Sequence, residues 1–360
     1  MTIGPAEATV NAVVMGHPSR QTSAEGLART LGGCPAVLDP LPEGPTSSRR
    51  TVRAAWARAP AEATHLLVVQ DDAIAAAWTM EEARQLATLF PHAAVSLFSE
   101  WATRSASLAR TSCLVGATVV PVCDPFTPSV ALMMPRQLAD DFAADDRWPD
   151  QQDDDKALAR FLHEREVPAY LSVPNLTDHG DLPSLVISDP VRGEFMRPLR
   201  RSAAFHRPSA PWRLVESVRF TPSHHPIGGV SLVLRDEQGR WSDSPTAELL
   251  RARRWDGQQL RQALQQYVAR APFGDWRTRL ACSHRPCVGL VVRIAMLHGL
   301  CLRASTDAQC APSPSAVRLF ESMVWGCLRT FHPSTVLQDR AHDLAEPLLA
   351  IALDTAEAFV

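Results

Sequence analysis

The sequence predicts an α/β protein: a mostly parallel sheet with flanking helices, followed by a mainly α-helical carboxyl-terminal part. Over the first 90 residues, short apolar runs alternate with helical patterns at the spacing of βαβ units. The run Leu66–Val69 is apolar throughout, as in a strand buried on both faces of a parallel sheet. Beyond residue 246, apolar residues recur mostly at i, i+3 and i+4, which is typical of amphipathic helices.

Length and composition limit the class of protein. A chain of 360 residues is long enough for one large or two ordinary domains. The net charge of -3 argues against general affinity for nucleic acid. Nearly all basic residues are arginine, with Lys156 as the only lysine, a composition that resembles that of a GC-rich genome such as an actinobacterium's.

The sequence also bears on localisation. No stretch reaches the roughly 18 to 20 uninterrupted apolar residues that a membrane span requires. The start carries Glu7 and no basic residue before its apolar run, unlike a signal peptide. We therefore expect a cytoplasmic protein whose scattered cysteines are reduced core thiols.

The predicted elements of the first half have clear boundaries. We expect strands at 10–15, 36–38, 66–69, 94–98, 113–122 and 169–173, and helices at 24–31, 49–59, 80–89, 136–142 and 157–164, with a connecting loop or short helix at 101–110.

Polar residues follow the first two predicted strands. The first ends in Gly16, which allows a ligand to approach the backbone, and His17 and Arg20 offer donors suited to a nucleotide. The second ends in Asp39, where an acid often receives a ribose hydroxyl or a base edge. A turn-forming role for Asp39 is an equal alternative.

Three arginines open the predicted helix 49–59. Cations at a helix N-terminus oppose its dipole, so they indicate an anionic partner or else solvation on an exposed turn. Arg50 and Arg53 share a face and are the candidates for binding, whereas we expect Arg49 to be solvated.

Gln70, Asp71 and Asp72 terminate the third predicted strand. Two carboxylates must emerge from the core at the edge of the sheet where open α/β folds bind ligands. Side by side they repel unless a cation or hydrogen-bond donors compensate them, so a divalent metal with a phosphate is one interpretation. The other is that they cap the next helix.

Two further acidic sites follow. Residues 140–155 are dense in acid, which usually marks a solvated loop. However, Asp153, Asp154 and Asp155 lead directly into the helix 157–164, where acids suit the helix dipole and can meet a ligand. His179 lies between acids in a glycine-containing loop, where an exposed imidazole can ligate a metal.

Together, these residues resemble the GT-A class of glycosyltransferases, which transfer sugar from a nucleotide diphosphate sugar. Gln70-Asp71-Asp72 resembles the DXD-type motif, whose last acid holds a divalent cation bridging the diphosphate, although its first position is Gln. Asp153–Asp155 resembles the acidic acceptor-side motif, and His179 the histidine that completes the metal site. The resemblance covers roughly residues 8–190.

The resemblance implies a GT-A-like, Rossmann-like fold and a metal-dependent glycosyltransferase. Asp72 and His179 would hold Mn²⁺ or Mg²⁺, and Asp154 would be the catalytic base with inversion, followed as candidates by Asp153 and Asp155. The donor, most often a UDP-sugar in this class, would be bound by Gly16, His17, Arg20, Asp39, Arg50, Arg53, Gln70 and Asp71. The acceptor stays open among a small molecule, a peptide and a glycan.

Two other functions remain open: a nucleotidyltransferase acting on a sugar phosphate, and a non-catalytic GT-A-like binding or scaffold protein. For domain organisation we expect a catalytic domain at 1–190, a connector at 191–245 with a hairpin or mobile loop, and a helical accessory domain at 246–360. The connector holds arginines of which one could touch diphosphate, namely Arg192, Arg197, Arg200, Arg201 and Arg207.

A zinc site is a further hypothesis for the helical part. Cys282, His284, Cys287, His298 and Cys301 are ligand types, but their spacing is not that of a standard finger or ribbon. Core thiols and a capping histidine are the preferred interpretation.

Overall fold

The chain forms two compact units. The computed structural model describes residues 7–45, 47–147, 153–180, 205–225, 229–244, 256–270, 272–275, 285–306, 308–331 and 341–358. The first unit comprises Met1–Ser99, Asp124–Gly193 and Phe205–Arg207, and the second comprises Glu100–Cys123, Glu194–Ala204 and Pro208–Val360. This division differs from the consecutive segments expected from the sequence, because residues 100–123 group with the later part of the chain.

The helices and strands up to residue 90 alternate as the sequence predicts, apart from a short strand at Ala73–Ala75. In chain order the elements up to residue 180 are β1 Val10–Gly16, α1 Gln21–Thr30, β2 Ala36–Leu38, α2 Ser48–Trp56, β3 His65–Gln70, β4 Ala73–Ala75, α3 Thr79–Leu89, β5 Ala94–Ser96, α4 Arg104–Cys113, β6 Val119–Pro121, β7 Ala131–Pro135, α5 Arg136–Ala144, α6 Asp154–Glu164, β8 Ala169–Ser172 and β9 Thr177–His179. A single 3-10 turn, Pro18–Arg20, precedes α1.

The main sheet of the first unit is mixed, with a mostly parallel arrangement. Its strands run in the order β2-β1-β3-β7-β5-β8. Strand β1 pairs in parallel with both β2 and β3, and β5 pairs in parallel with β8. Strand β7 is antiparallel to β3 and β5. The α/β prediction is therefore confirmed, and the carboxyl ends of β1, β2 and β3 meet at one edge.

A core beneath one face of this sheet fixes the helices. Leu66 and Val68 of β3 are buried in one cluster with Trp56 of α2. Phe142 of α5 and Phe161 of α6 belong to the same cluster, with an edge-on contact of 5.0 Å between ring centroids. Because α6 is anchored by these apolar residues, its acidic first turn has a fixed position relative to the sheet.

The segment that ends at His179 is a strand in a two-stranded antiparallel ribbon, and the loop expected there was wrong. Strand β4 pairs with β9, and Ala73 lies opposite His179. The Gly180 N–H donates to the Asp72 carbonyl over 2.6 Å. The segment is a strand because β4 supplies its backbone partners, and a distant pairing of this kind leaves no local pattern in so short a stretch.

The second unit combines a small sheet with helices. Strands β10 Phe220–His225, β11 Gly229–Arg235 and β12 Trp241–Ser244 form an antiparallel sheet in that order. The described helices that follow are α7 Gly257–Ala269, α8 Arg285–Ser305, α9 Ala316–Phe331 and α10 His342–Ala358. The helical carboxyl-terminal part is thus confirmed. The sequence pattern also favours a helix at 247–253, which lies outside the described residues.

In the segment 101–122, the short helix that was one of two expectations for 101–110 is present, but the strand expected at 113–122 was wrong for most of its length. Instead of a strand from residue 113, helix α4 continues to Cys113, and the strand β6 is only three residues long. The Thr103 side chain caps the helix by accepting from the Ala106 N–H over 3.0 Å. Since Ser105–Cys113 is buried on every side, the segment has no amphipathic period from which the helix could be recognised.

One described helix is long and apolar enough to meet a membrane-span criterion. The window Val288–Ser305 of α8 qualifies by length and hydropathy, although the sequence alone showed no uninterrupted apolar run of that length. In the structure, 72% of this window is buried inside the protein, a property shared by ordinary core helices.

Candidate functional site

Asp71 and Asp72 lie just beyond β3, at the edge where the parallel strands end. Asp71 is buried, and its Oδ2 accepts a hydrogen bond from the His17 N–H over 3.0 Å. The Asp71 carbonyl accepts from the Ser23 hydroxyl over 2.7 Å. The preceding Gln70 places its Nε2 3.4 Å from Ser129 Oγ. The two acids are therefore held by the ends of neighbouring elements of the first unit.

Gly16 is required by the close approach of β1 to Asp71. A Cβ atom at position 16 would lie 2.7 Å from Asp71 Oδ2 and 2.9 Å from Asp71 Cβ. The parallel register of β1 and β3 places Met15 opposite Gln70, so the chain segments that follow meet directly. The residue that we expected to admit a ligand thus also makes room for the carboxylate itself.

Arg20 bridges both carboxylates. Its Nη1 lies 3.2 Å from Asp71 Oδ1 and 3.0 Å from Asp72 Oδ2. The turn that carries Arg20 begins at His17, whose Nδ1 accepts from the Ser19 N–H over 3.2 Å. A guanidinium between two adjacent acids compensates the repulsion that their proximity would otherwise cause.

His179 meets Asp72 across the β4–β9 ribbon. Its Nε2 lies 3.4 Å from Asp72 Oδ2, and its ring lies 6.0 Å from the ring of Phe98. The other carboxylate oxygen, Asp72 Oδ1, is buried and has no hydrogen-bond partner in the described part of the chain. A buried oxygen without a donor is a group that a cation could satisfy.

The two adjacent acids differ in their acidity. Burial raises the pKa of Asp71, and the charge of Asp72 adds to that effect, while the His17 N–H opposes it. Burial also acts to raise the pKa of Asp72, but the hydrogen bond and charge of His179, together with Arg20, outweigh it and place the pKa below its ordinary value. Asp72 is therefore the acid whose environment favours the anion.

The pair Asp72 and His179 fits a divalent cation that shares its remaining coordination sites with a ligand. A carboxylate oxygen and an imidazole nitrogen about 3 Å apart are suitable neighbours in the coordination shell of such an ion. Among the residues that the structure describes, no group of three or more His, Cys, Asp or Glu side chains could hold a metal. Phosphate oxygens and water would therefore have to complete the shell, as is usual for Mg²⁺.

The three acids that begin α6 have different environments. Asp154 is buried, and its Oδ2 has no hydrogen-bond partner among the described residues. Asp153 is exposed and forms an ion pair of 2.5 Å with Lys156. Burial, followed by the charge of Asp154, raises the pKa of Asp155 to about 6. Of the acids expected on a solvated loop, Asp146 and Asp153 are exposed, whereas Asp145 is buried and paired with Arg147.

The start of α6 and the end of β3 are linked through the segment that precedes β7. The Thr127 N–H donates to the Asp155 carbonyl over 3.1 Å, and Ser129, two residues later, contacts Gln70. The expected acidic sites therefore share one edge of the first unit. Within the described ranges, no hydrogen bond or ion pair joins Asp153, Asp154 or Asp155 to Asp72 or His179.

Asp39 and Arg50 form a salt bridge with each other. Arg50 donates from Nε and Nη2 to the two Asp39 oxygens over 2.7 and 2.8 Å, which lowers the pKa of Asp39. The Leu41 N–H and carbonyl also bond to this pair, so it orders the turn after β2. Asp39 therefore has the turn-forming role in the structure. A nucleotide sugar at this position would meet an Asp39 carboxylate that is already paired with Arg50.

The other arginines of α2 are also engaged. Arg53 donates to the Ala143 carbonyl over 3.2 Å and forms an ion pair with Asp146. Arg49 is fully buried, stacks over the Phe142 ring at 4.2 Å and donates to the Asp145 carbonyl. The expectation that Arg49 is solvated was wrong, because the arginine sits on the packed face of α2 and stabilises it through the aromatic ring.

Sequence analysis missed two side chains of the site. Ser23 lies on α1 and Ser129 lies just before β7, and each bonds to the segment Gln70–Asp71. Neither belongs to a recognisable motif. Only the pairing of β3 with its neighbours brings them there, so no local signal could have identified them.

The remaining sequence hypotheses concern other parts of the chain. Arg207 pairs with Glu81 and Glu82 of α3, while the other four connector arginines lie outside the described residues. Cys282 and His284 also lie outside them. His298 and Cys301 are buried, and His298 Nδ1 lies 2.8 Å from Thr111 Oγ1. The cysteines for which a state is described are free thiols, as expected, namely Cys34, Cys113, Cys123, Cys301, Cys310 and Cys327.

Comparison of the sequence with known protein families gives no matching family model, and comparison with curated proteins gives no match. The geometry at the end of β3 therefore carries the functional argument.

Proposed function

We propose that the protein is a metal-dependent glycosyltransferase of the GT-A type, acting on a nucleotide diphosphate sugar. The observation that carries this proposal is the approach of His179 Nε2 to Asp72 Oδ2, 3.4 Å apart, at the ligand-binding edge of a mostly parallel sheet. The mixed sheet and its flanking helices are consistent with the GT-A-like fold that the motif order resembles.

The proposed division of labour follows from the contacts at the site. A divalent cation, Mn²⁺ or Mg²⁺, would supply Lewis-acid neutralisation of the departing nucleoside diphosphate. Asp72 and His179 would bind it, and the Asp72 oxygen that has no donor would gain a partner. Asp71 orients the His17 backbone and Arg20, so its role is to position the donor side of the site.

Asp154 is the proposed general base. The acceptor must lose a proton as it attacks the sugar, and a buried carboxylate whose Oδ2 has no hydrogen-bond partner among the described residues is available to take it. Asp153 is the weaker candidate because Lys156 already pairs with it on an exposed turn. One base acting directly on the acceptor implies inversion at the anomeric carbon.

The donor would lie along the ends of β1, β2 and β3, against Gly16, His17 and Gln70. A UDP-sugar is the first donor to test because this class uses it most. The Asp39–Arg50 pair would contribute to binding of the nucleotide sugar by ordering the turn after β2. Arg53 would contribute by fixing α2 through its bond to the Ala143 carbonyl. The acceptor would be a small molecule, a peptide or a glycan.

A thermal-shift screen of nucleotide sugars with and without Mn²⁺ tests the proposal. A ligand that binds only the native state raises its apparent stability, and the increase grows with the logarithm of ligand concentration above Kd. We expect an increase in melting temperature that needs both Mn²⁺ and one nucleotide sugar, and that disappears in Asp72→Ala. No shift with any nucleotide sugar would contradict the proposal and favour a binding or scaffold protein.

The same preparation distinguishes a nucleotidyltransferase. That enzyme would release pyrophosphate from a nucleoside triphosphate and a sugar phosphate, whereas a glycosyltransferase would release nucleoside diphosphate from a nucleotide sugar. Measuring both products with the donor found in the screen decides between the two reactions.

A further inference from the structure

Arg20 already pairs with the carboxylate that the proposed cation would use. Its Nη1 lies 3.0 Å from Asp72 Oδ2, and the same oxygen lies 3.4 Å from His179 Nε2. A second contact of 3.2 Å joins Nη1 to Asp71 Oδ1. The guanidinium is thus a counter-charge that stabilises the two adjacent carboxylates.

Burial strengthens the electrostatic attraction between Arg20 and the two carboxylates. The side chains of Arg20, Asp71 and Asp72 are only 12%, 8% and 13% exposed. Charges that are largely removed from water interact more strongly and are screened less by salt than charges on the surface. A divalent cation beside Asp72 would therefore be repelled by the guanidinium 3.0 Å from the same oxygen.

The guanidinium can also pair with a diphosphate. Its planar fork matches phosphate oxygens as well as it matches carboxylates. Arg20 ends the 3-10 turn Pro18–Arg20, directly after His17 at the end of β1, where the donor is proposed to lie. A rotation of the side chain is enough to exchange one kind of anionic partner for the other, because the long stem of arginine has several rotatable bonds.

We propose that Arg20 is an exchangeable counter-ion: it neutralises Asp71 and Asp72 in the free protein, and it moves to the donor phosphates when a divalent cation takes its place at Asp72. This inference rests on the proposed function. It means that metal alone binds weakly, since it must displace Arg20, and that metal and diphosphate bind cooperatively. Arg20 is therefore a positioning residue that prevents the site from filling with metal in the absence of donor.

Removal of the Arg20 charge affects the two ligands in opposite directions. In Arg20→Met the acidic pair loses its competitor, so Mn²⁺ affinity without nucleotide rises on the order of tenfold. UDP affinity falls by a similar factor, about tenfold, because the phosphates lose a charged partner. A purely structural role for Arg20 would instead weaken the binding of both ligands.

The experiment measures Mn²⁺ and UDP binding to the full-length protein. Free Mn²⁺ is quantified by its electron paramagnetic resonance signal during titration of wild type, Arg20→Met and Arg20→Gln, with and without UDP. Isothermal titration calorimetry gives the UDP affinity in the presence of saturating Mn²⁺, the condition in which Arg20 is proposed to contact the phosphates. Arg29→Met is the matched control, because Arg29 is an exposed arginine on α1, and it should leave both affinities unchanged. Arg20→Gln retains hydrogen-bonding capacity without charge and repeats the test if Arg20→Met does not fold.

The outcomes separate this inference from the proposed function. Tighter Mn²⁺ binding with weaker UDP binding in both Arg20 variants supports the exchange. Unchanged or weaker Mn²⁺ binding in the variants, with Mn²⁺ still bound by wild type in the presence of UDP, overturns the exchange and leaves the proposed function standing. Absence of Mn²⁺ binding in all proteins, with or without UDP, overturns both.

Discussion

His179 Nε2 and Asp72 Oδ2 lie 3.4 Å apart, although the two residues are distant in the sequence. The contact arises because β4 begins at Ala73, directly after Asp72, and pairs with β9, which ends at His179. Ala73 lies opposite His179 in this ribbon. The strand pairing therefore brings an imidazole to Asp72, and the proposed metal site depends on this pairing.

Removal of the Asp72 carboxylate should abolish metal binding. In Asp72→Ala we expect Mn²⁺ affinity in the presence of UDP to fall at least about 100-fold, because the proposed site has only two protein ligands. Calorimetry of UDP with and without Mn²⁺ measures the loss. Asp243→Ala removes an exposed carboxylate of the second unit and should bind as wild type does. Unchanged Mn²⁺ binding in Asp72→Ala would show that the site is assigned wrongly.

Replacement of His179 should weaken the same site less severely. In His179→Ala we expect a loss of about 10- to 100-fold in Mn²⁺ affinity, since Asp72 and the phosphates still hold the ion. UDP binding in EDTA should stay unchanged. His163→Ala is the control, because His163 is an exposed histidine on α6. Equal Mn²⁺ affinities of His179→Ala and His163→Ala would exclude His179 as a ligand.

Asp154→Asn should separate catalysis from binding. We expect sugar transfer to fall about 10²- to 10⁴-fold, the usual contribution of a general base, while donor affinity is retained. The structure provides a neighbouring control in Asp153→Asn, which removes an exposed carboxylate paired with Lys156 and should retain most of the activity. Full activity of Asp154→Asn would remove Asp154 from the mechanism. Single-turnover measurements with the donor found in the thermal screen provide the rates.

Gly16→Ala should destabilise the first unit. The new Cβ would lie 2.7 Å from Asp71 Oδ2, so β1 or the carboxylate has to move, at a cost of about 1 to 3 kcal/mol. Urea unfolding measures the change in the free energy of unfolding. Gly26→Ala is the matched control on α1, where the nearest atom is the end of Arg29 at 3.8 Å. That helical substitution should be neutral or stabilising by up to about 1 kcal/mol, and equal losses in both variants would contradict the crowding argument.

Asp155 should make the stability of the protein pH-dependent. Its pKa is raised to about 6 in the folded state, so the folded form holds the proton more tightly than the unfolded form does. The free energy of unfolding should therefore fall as pH rises from about 4 to about 6, and the destabilisation should be complete above that range. In Asp155→Asn this contribution disappears, and stability near pH 7 should rise by on the order of 1 to 3 kcal/mol. Urea titrations at pH 5 and pH 7 test whether the free energy of unfolding falls as pH rises. An identical change with pH in wild type and Asp155→Asn would refute the role of Asp155.

Local sequence was sufficient to predict most elements of the first unit. Strands β1, β2 and β3 were predicted within a residue or two because buried parallel strands have short, continuous apolar runs. The position of Asp71 and Asp72 at the edge of the sheet followed from the cost of burying two carboxylates. In contrast, the full extent of α4 and the strand β9 were not predicted. Helix α4 is buried on all sides and has no apolar period, and β9 is too short to stand out without its partner β4.

The sequence by itself determined which chemical groups lie at the ends of the strands, namely Gly16, Asp39 and the acids after Gln70. It also determined which acids begin helix α6. Tertiary structure alone decided which of these groups meet. It brought His179 to Asp72 through strand pairing, placed Arg20 between Asp71 and Asp72, and paired Arg50 with Asp39. The physical reason is that strand ends are set by local burial, whereas contacts between side chains depend on register and on charge compensation between segments that are distant in the chain.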